Sequence, residues 1–294
     1  MSSKIKIDLE KFIKKLPAPL NKEQYYLLKK GIWDNPNTSV YINKKKDFTF
    51  HFPQERIDYS KYTPRKLKIG LNKYKRSLVD NENIRRYQKI RKYFDSSENY
   101  LEIGSGEGKF LKLLYKKVKI KLSSLEKDEK SNFKYKKLKW LTSYKSFEEI
   151  RKKFDIICFF HVFEHIYEPD IFLKELKKIT HRGSKIIIEV PSLSDPILNI
   201  YKIEEFKDFF FQTQHPFTYS EKSLVRVLEK NFIIEEKIPF QRYGIDNHLS
   251  WLINKKPGGN ESLSFLFEST NQSYIKELEK SRNTDANIIV LKNK

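Results

Sequence analysis

The spacing of hydrophobic positions changes near residue 100. Beyond it, short apolar runs alternate with segments in which apolar residues recur at helical spacing. The apolar runs predict strands at 100–103, 119–125, 137–141, 155–160, 185–190, 232–239 and 286–292. The segments between them predict helices at 108–117, 128–135, 146–152, 169–180 and 220–230. This alternation is typical of an α/β fold, in which helices cover both faces of a largely parallel sheet.

The first 80 residues lack this regular alternation. Their apolar positions predict short helices at 9–16 and 23–30, and strands at 39–42 and 48–52. We therefore predict a small N-terminal α+β cap over residues 1–80.

A glycine-rich loop follows the strand predicted at 100–103. From Glu102 to Gly108 the sequence reads Glu-x-Gly-x-Gly-x-Gly, with Ser105 between the first two glycines. Glycine adopts backbone angles that strain other residues, so it suits a tight turn between a strand and a helix. It also lets a ligand lie against bare backbone at a helix N-terminus, where free N–H groups favour an anionic group.

Two other nucleotide-binding loops have a different spacing. A P-loop needs Gly, four residues and then Gly-Lys-Ser/Thr, but Gly104 stands four positions before Gly108-Lys109, and Phe110 takes the hydroxyl position. The dinucleotide pattern Gly-x-Gly-x-x-Gly would need a glycine in place of Lys109. The remaining pattern resembles the first motif of class I S-adenosylmethionine (SAM)-dependent methyltransferases. The alternative is a purely structural turn.

The segment after the strand predicted at 155–160 extends this resemblance. It reads His-x-x-Glu-His from His161 to His165, followed by a proline, a helix and a strand that ends in Val190-Pro191. The ensemble resembles a methyltransferase subfamily that modifies sugars, quinones and other small metabolites. The resemblance spans residues 100–191, roughly a third of the chain. It implies a seven-stranded Rossmann-like methyltransferase sheet that binds SAM.

An acidic residue at the end of the second predicted strand suits the same cofactor. The carboxylate of Glu126 can accept both hydrogen bonds from a ribose diol, and the resemblance assigns it this role; the alternative is a solvated acid. The resemblance also places Phe160 and His161 beside the methionine end of SAM. The candidate cofactor-binding residues are Glu102, Gly104, Ser105, Gly106, Gly108, Glu126, Lys127, Phe160 and His161.

The His-x-x-Glu-His segment also raises the question of a metal site. The zinc pattern His-Glu-x-x-His lies on a helix, whereas His161, Glu164 and His165 have another order and follow a strand. A metal is therefore the weaker alternative, and we predict no metal site. Glu164 and His165 are expected to hold the loop together.

A further histidine precedes the helix predicted at 220–230. The chain is similar here to a glycan-type branch in which a histidine shortly before this helix faces the methyl acceptor. Sugar C-methyltransferases have Tyr-x-Glu-His as the base, but this chain has Gln212 and Gln214 and keeps only His215. Because Gln214 cannot take up a proton, a hydroxyl or amine acceptor is favoured, with His215 as general base. We expect the positive helix end to keep His215 neutral; the alternative is a hydrogen-bonded loop residue.

The main domain is predicted over residues 81–294 and begins with a helix at 81–94. An insertion at about 241–284 mixes aromatic residues with Arg, Asp, Asn and His, which core helices rarely combine. We predict that this insertion covers the substrate; the alternative is an ordinary surface insertion. The candidate substrate-binding residues are Gln212, Gln214, Tyr243, His248 and Trp251.

Composition bears on partners and compartment. The formal net charge of +21 would favour a polyanion, but the 59 lysines and arginines are scattered over nearly every segment. The single cysteine excludes an internal disulfide. The longest apolar run, 156–163, is too short to span a membrane. We expect a cytoplasmic protein without a membrane span.

These features together predict a SAM-dependent methyltransferase. Its expected acceptor is a hydroxyl or amine of a small molecule, most simply a sugar or an anionic, nucleotide-linked sugar in glycan or polysaccharide biosynthesis. Specific binding to nucleic acid is not expected. Two alternatives stay open: an RNA or other nucleic-acid methyltransferase, which the charge alone favours, and a SAM-binding subunit without catalysis.

Overall fold

The computed structural model describes residues 3–59, 73–258 and 268–294. Its strands form one sheet of seven strands and one of four. The strands are β1 (Tyr25–Lys29), β2 (Ser39–Asn43), β3 (Phe48–Phe52), β4 (Asn99–Ile103), β5 (Lys121–Leu125), β6 (Leu141–Tyr144), β7 (Phe154–Phe160), β8 (Thr180–Pro191), β9 (Phe217–Tyr219), β10 (Phe232–Phe240) and β11 (Ala286–Asn293). The helices are α1 (Ser3–Ile13), α2 (Lys73–Ile90), α3 (Lys109–Lys117), α4 (Glu129–Tyr135), α5 (Pro169–Lys178), α6 (Pro196–Asn199), α7 (Glu204–Phe210), α8 (Glu221–Leu228), α9 (Ile245–Asn254) and α10 (Glu268–Lys280).

The seven-stranded sheet has the order β10-β11-β8-β7-β4-β5-β6. Its strands from β4 to β8 pair in parallel, whereas β11 is antiparallel to both β8 and β10. The strand order reverses at β4, which lies between β5 and β7. Ligands of open α/β sheets bind beside the carboxyl ends of the strands at such a point. The sheet confirms the predicted Rossmann-like fold and places a crevice beside the ends of β4 and β7.

Helices cover both faces of this sheet because successive side chains of a strand point to opposite faces. On one face, Leu101 and Ile157 belong to a core that includes residues of α5 and α8. On the other face, Tyr100 and Ile156 belong to a core that includes residues of α2 and α3. Burial of each such side chain stabilises the fold by roughly 1.5–3 kcal/mol.

The four-stranded sheet is antiparallel and has the order β1-β2-β3-β9. Three of its strands come from the N-terminal region, but β9 comes from the main domain and pairs with β3, with Phe50 opposite Phe217. The rings of Phe48 and Tyr219 add to this contact, with centroids 5.2 Å apart. The predicted cap therefore shares its sheet with a strand from far beyond residue 80.

Two elements predicted in the cap differ from the structure. Residues 23–30, predicted as a helix, contain strand β1, in which Tyr26 pairs with Ile42 of β2. Pairing with a neighbouring strand overrides the weak helical spacing of this segment. The helix predicted at 9–16 begins earlier, at Ser3, and ends at Ile13.

The prediction was also wrong around β6. This strand begins at Leu141, the last residue of the strand predicted at 137–141, because the preceding residues form a turn in which Leu138 N–H donates to the Tyr135 carbonyl. The helix predicted at 146–152 is only a 3₁₀ turn, Phe147–Glu149. The apolar pattern also does not predict β9, α6, α7, α9 and α10.

The predicted insertion contains α9 and α10, and its residues 259–267 lie outside the described part of the chain. Trp251 of α9 packs against Phe206 and Phe209 of α7, with ring centroids 4.9 and 5.3 Å apart. These contacts join α7 and α9 into one layer. In the three described ranges, no helix combines the length and apolarity needed to cross a membrane.

Candidate active site

The glycine loop begins where β4 ends. Gly104, Gly106 and Gly108 have φ angles of +69°, +52° and +69°, a region that other residues enter only with strain. A β-carbon at Gly104 would lie 2.5 Å from Cγ2 of Val162, whereas one at Gly106 would meet no atom within 4 Å. The loop is therefore packed tightly at Gly104 and leaves open space at Gly106, where a ligand can lie against the backbone.

Glu126 follows β5 and is hydrogen-bonded to this loop. Its carboxylate accepts from the backbone N–H of Gly106 at 2.8 Å and from that of Asp128 at 2.9 Å. The hydroxyl of Ser105 lies 2.6 Å from that of Ser124 on β5. The structure thus brings the predicted acid and the glycine loop together. Each carboxylate oxygen keeps a lone pair that can accept from a ribose hydroxyl.

Of the predicted cofactor residues, Glu102, Ser105, Gly106, Gly108 and Phe160 do not line the cavity. Three of these belong to the loop itself, and the other two, Glu102 and Phe160, lie beside it. The Tyr100 hydroxyl donates to Glu102 at 3.3 Å. Burial raises the pKa of Glu102 to about 8, although Arg86 lowers it. The ring of Phe160 meets the edge of Phe110, with centroids 4.9 Å apart, and the Arg86 guanidinium lies 4.6 Å from the Phe160 centroid. Both residues therefore support the site from within the sheet.

His161 follows β7 in a buried network of charges. Its Nε2 lies 2.9 Å from Oε1 of Glu189, and its Nδ1 lies 3.3 Å from Oε1 of Glu164. Arg86 donates to both oxygens of Glu189, at 2.5 and 2.6 Å, and Nη1 of Arg242 lies 3.0 Å from His161 Nε2. Burial and Arg242 lower the pKa of His161, but the two carboxylates outweigh them and raise it to about 9. The two carboxylates therefore favour the charged form of His161, and the close approach of Arg242 opposes it.

The segment from Gln212 to His215 contacts the His-x-x-Glu-His segment on the far side of the crevice. The rings of His165 and His215 are edge to face, with centroids 4.8 Å apart. Nδ1 of His165 lies 2.6 Å from the Gln214 carbonyl oxygen and 2.9 Å from the Tyr59 hydroxyl. The side-chain amide of Gln214 donates to Oε1 of Gln212 at 3.1 Å. All five residues line the same cavity.

His215 has a strongly lowered pKa. Burial is the main cause, His165 adds to it and Glu164 opposes it, so that the pKa of His215 falls to about 3. The helix end expected to keep this ring neutral is not adjacent to it. Strand β9 lies between them, and α8 begins at Glu221 with Ser220 as its cap.

The candidate residues in the insertion fall into two groups. Tyr243 and Trp251 line the cavity. His248 does not line it: its side chain is buried, with Nδ1 2.5 Å from the Tyr274 hydroxyl and Nε2 3.4 Å from the Gln241 amide nitrogen. Burial lowers the pKa of His248 to about 4. Both ring nitrogens of His248 therefore face protein side chains, Gln241 and Tyr274, and neither faces the cavity.

One cavity of about 890 Å³ joins the two sides of the crevice. Gly104, Glu126 and Lys127 line one part of it, which we call the cofactor side after their predicted role. Gln212, Gln214 and His215 line another part, which we call the acceptor side for the same reason. Binding sites for one small molecule typically measure about 300–1,000 Å³. The cavity is therefore at the large end of that range, as a site for two ligands requires.

Sequence reasoning missed the buried charges that shape this cavity. Besides Arg86, these include Arg242, whose Nε lies 3.0 Å from Oδ1 of Asp285. The sequence does indicate a buried charge at Glu189, because this residue interrupts an apolar run near the end of β8. A charge buried there needs a partner of opposite charge. Arg242 belongs to the polar and aromatic mixture that indicated the insertion, whereas the positions of Arg86 and Asp285 gave no comparable local signal.

Known structures with similar folds include several methyltransferases. A SAM dependent methyltransferase from Archaeoglobus fulgidus is 21% identical, with a TM-score of 0.48 over 74% of this chain and 94% of that chain. A chain from the complex between the Haloferax volcanii Trm112 methyltransferase activator and a methyltransferase is 14% identical, with a TM-score of 0.47 over 76% and 98%. The plantazolicin methyltransferase BpumL, in complex with a pentazolic desmethylPZN analog and SAH, is 16% identical, with a TM-score of 0.46 over 76% and 87%.

At the level of sequence, no curated protein matches this chain. A family model described as a methyltransferase domain matches residues 75–231, which is more than half of the chain. The matched region contains the glycine loop, Glu126 and the segments that carry His161 and His215. The chain therefore belongs to the methyltransferase domain family and is a class I enzyme that uses SAM as its methyl donor.

Proposed function

We propose that this enzyme methylates a hydroxyl or an amine of a small molecule, most simply a sugar or a nucleotide-linked sugar. The observation that carries the proposal is the continuous cavity from Gly104 to His215. A concave site with apolar walls and a few polar groups is the usual form of a small-molecule site. Proximity of the two ligands in such a cavity supplies much of the rate of methyl transfer.

SAM supplies an electrophilic methyl group when it is bound, and the cofactor side of the cavity suits it. The open space at Gly106 accommodates a ligand against the backbone. The carboxylate of Glu126 offers acceptors for the ribose hydroxyls, and Lys127 lines the same region. We assign Glu102 and Phe160 the supporting role of holding the loop and the end of β7.

On the acceptor side, His215 is the candidate proton acceptor. Its lowered pKa leaves the ring neutral at pH 7, with a lone pair available. The amides of Gln212 and Gln214 offer both donors and acceptors to the hydroxyl groups of a sugar. Tyr243 adds an aromatic face at the cavity wall, which suits stacking on a sugar ring.

Charge favours an anionic acceptor. The formal net charge of +21 raises the local concentration of anions around the protein. Within the cavity, Lys127 and Arg242 lie among acidic residues such as Glu126 and Asp195, so the support for an anionic acceptor comes from the overall charge. The phosphate groups of a nucleotide-linked sugar would benefit from that field.

Transfer of radiolabelled methyl groups from SAM tests this proposal. The enzyme is incubated with a panel of sugars and sugar nucleotides and, in parallel, with total RNA and with DNA. We expect label in the small-molecule fraction. Transfer to RNA or DNA alone would overturn the proposal in favour of a nucleic-acid methyltransferase.

A pair of acidic positions supplies the matched control. Glu126→Ala should abolish transfer because it removes a carboxylate hydrogen-bonded to the glycine loop. Glu129→Ala, at an exposed acid three positions later, should transfer as the wild type does. Equal activity of the two variants would contradict the assignment of Glu126 to the cofactor.

A further inference from the structure

Three potential metal ligands meet on the acceptor side of the cavity. One ligand atom each from Glu164, His165 and His215 lies within 4.8 Å of the other two. Two imidazoles and one carboxylate form a ligand set that proteins use for divalent transition metals such as Zn²⁺ and iron. All three residues line the cavity, so an ion held by them would face a bound acceptor.

Glu164 is a buried carboxylate without a hydrogen bond. Its side chain is 1% exposed, and in the described ranges neither of its oxygens accepts a hydrogen bond. Nδ1 of His161 lies 3.3 Å from Oε1 but outside hydrogen-bond geometry. A buried carboxylate costs several kcal/mol unless it is both paired and hydrogen-bonded. Glu164 therefore has no hydrogen bond with which to hold its loop, and its close cation is the ring of His161. Because that ring also pairs with Glu189, the environment of Glu164 favours a further cation.

His165 is oriented as a metal ligand would be. The Gln214 carbonyl oxygen, 2.6 Å from Nδ1, can only accept a hydrogen bond, so Nδ1 carries the hydrogen. In the neutral ring, Nε2 then has a lone pair, and it lies 4.0 Å from Oε1 of Glu164. Metal-bound histidines commonly donate their other N–H to a backbone carbonyl in this way. The 4.0 Å separation is too long for a hydrogen bond. It is about 0.6 Å longer than the roughly 3.4 Å between two tetrahedral ligands that are each about 2.1 Å from one ion, so a small side-chain movement brings both atoms onto the ion.

A second group of potential ligands, Glu82, His161 and Glu189, provides a contrast. Both oxygens of Glu189 already accept hydrogen bonds from Arg86, and Glu82 accepts another at 2.6 Å. The guanidinium therefore already supplies the positive charge that this group needs. Only the group around Glu164 combines clustered ligand atoms with a buried carboxylate that lacks hydrogen bonds, among the residues that the structure describes.

We propose that Glu164, His165 and His215 bind one divalent transition-metal ion, such as Zn²⁺ or Mn²⁺, which holds the acceptor oxygen. The proposal deepens the function proposed above and rests on it for the nature of the acceptor. Three protein ligands leave a coordination position for a hydroxyl oxygen. A bound divalent ion lowers the pKa of an oxygen ligand by several units, which prepares a hydroxyl to attack the methyl group.

The ion changes the route of the proton. The acceptor hydroxyl binds the ion and loses its proton to water in the cavity. Its oxygen then forms a bond to the methyl carbon while the sulfur–methyl bond of SAM breaks, and that electron pair stays on sulfur. The products are the methylated acceptor and S-adenosylhomocysteine. Because the lone pair of His215 is then bound to the ion, His215 does not itself accept the proton.

The first test uses the metal ion alone. Protein treated with EDTA and dialysed is titrated with Mn²⁺ or Zn²⁺ by calorimetry, and bound metal is counted by mass spectrometry. We expect one ion per chain. Glu164→Gln and His215→Ala should each weaken binding by at least about a hundredfold, since loss of a supporting residue outside the ligand set already costs about 10–100-fold.

A histidine elsewhere provides the matched control. Nε2 of His181 lies 2.9 Å from the carboxylate of Asp155, and neither residue lines the cavity. His181→Ala should therefore bind the ion as the wild type does. Should a site variant fail to fold, the visible absorption of Co²⁺ bound to the wild type reports nitrogen ligation without any substitution. A wild type that binds no ion at micromolar concentration, or site variants that bind as tightly as the wild type, would overturn the proposal.

Methyl transfer measured with and without EDTA distinguishes failure of the ion proposal from failure of the proposed function. Both proposals are supported if EDTA abolishes methyl transfer to a small molecule and Mn²⁺ or Zn²⁺ restores it. Transfer that EDTA leaves unchanged keeps the small-molecule acceptor but overturns the ion, and returns His215 to the role of direct base. Stoichiometric ion binding without transfer to any small molecule supports the ion site and overturns the proposed function.

Discussion

Replacing Arg86 with methionine tests the buried charge network beside His161. The Arg86 side chain is 5% exposed and donates to both oxygens of Glu189, which is 0% exposed, at 2.5 and 2.6 Å. Arg86→Met would leave that carboxylate buried with His161 as its remaining close cation. Removing one partner of a buried pair typically costs about 3–5 kcal/mol. Because His161 stays in place, we expect about 3 kcal/mol, a large share of the roughly 5–15 kcal/mol that stabilises a domain.

Urea-induced unfolding, followed by circular dichroism, measures this loss. A second substitution, Glu189→Leu, in the Arg86→Met background should restore at least half of it, because the uncompensated carboxylate is then gone. The matched control is Lys178→Met, which removes a pair with Glu175 in which Lys178 is 68% exposed. That change should cost less than about 1 kcal/mol.

Two results would refute the reasoning about this network. A loss below about 1 kcal/mol for Arg86→Met would show that Glu189 is solvated or neutralised at little cost. A double variant less stable than Arg86→Met alone would show that Glu189 contributes chiefly through contacts other than its charge.

Three further predictions concern single positions. Gly106→Val should abolish SAM binding in calorimetry, because its side chain would fill the open space at the loop. Gly31→Ala, at another glycine with positive φ, +67°, should bind SAM normally; binding by Gly106→Val would contradict the site. Glu102→Gln should change the pH dependence of stability in urea unfolding. Since the folded pKa of Glu102 is raised from 4.5 to about 8, its neutral form favours folding below pH 4.5, and the wild type loses up to about 5 kcal/mol as the pH rises to 8. Equal slopes for the two proteins would contradict this. His215→Ala should lower kcat roughly a hundredfold while the Kd for SAM stays unchanged, whether His215 is the base or a ligand of the ion, and His215→Gln should do no better; full turnover by His215→Gln would exclude both roles.

The contact between Glu126 and the glycine loop could be predicted because each follows the end of one of two neighbouring strands. The loop from Gly104 to Gly108 follows β4 directly, and Glu126 follows the neighbouring strand β5. Adjacent parallel strands bring their carboxyl ends to one edge of a sheet, as the pairing of Ile103 with Leu125 shows. A local pattern was therefore enough to place the acid beside the glycines.

The acceptor side could be predicted only in part because its contacts join distant segments. His215 lines the cavity, but hydrophobic periodicity carries no information on which loops meet, so its approach to His165 was not foreseen. His248 was assigned to the substrate from its polar neighbours, but its Nδ1 is hydrogen-bonded to the hydroxyl of Tyr274, 26 positions later. The same limit applies to β1, which pairing with β2 converts from an expected helix into a strand.

Strand β9 links the geometry of the acceptor side to the N-terminal sheet. It begins two residues after His215 and pairs with β3, and the N–H of His51 donates to the carbonyl of Pro216 at 3.0 Å. The N-terminal strands thus fix the position of the segment that carries His215, whereas the glycine loop is positioned by the seven-stranded sheet. If the segment around His215 binds the acceptor as we propose, substitutions in β3 should alter the fit of the acceptor more than they alter the binding of SAM.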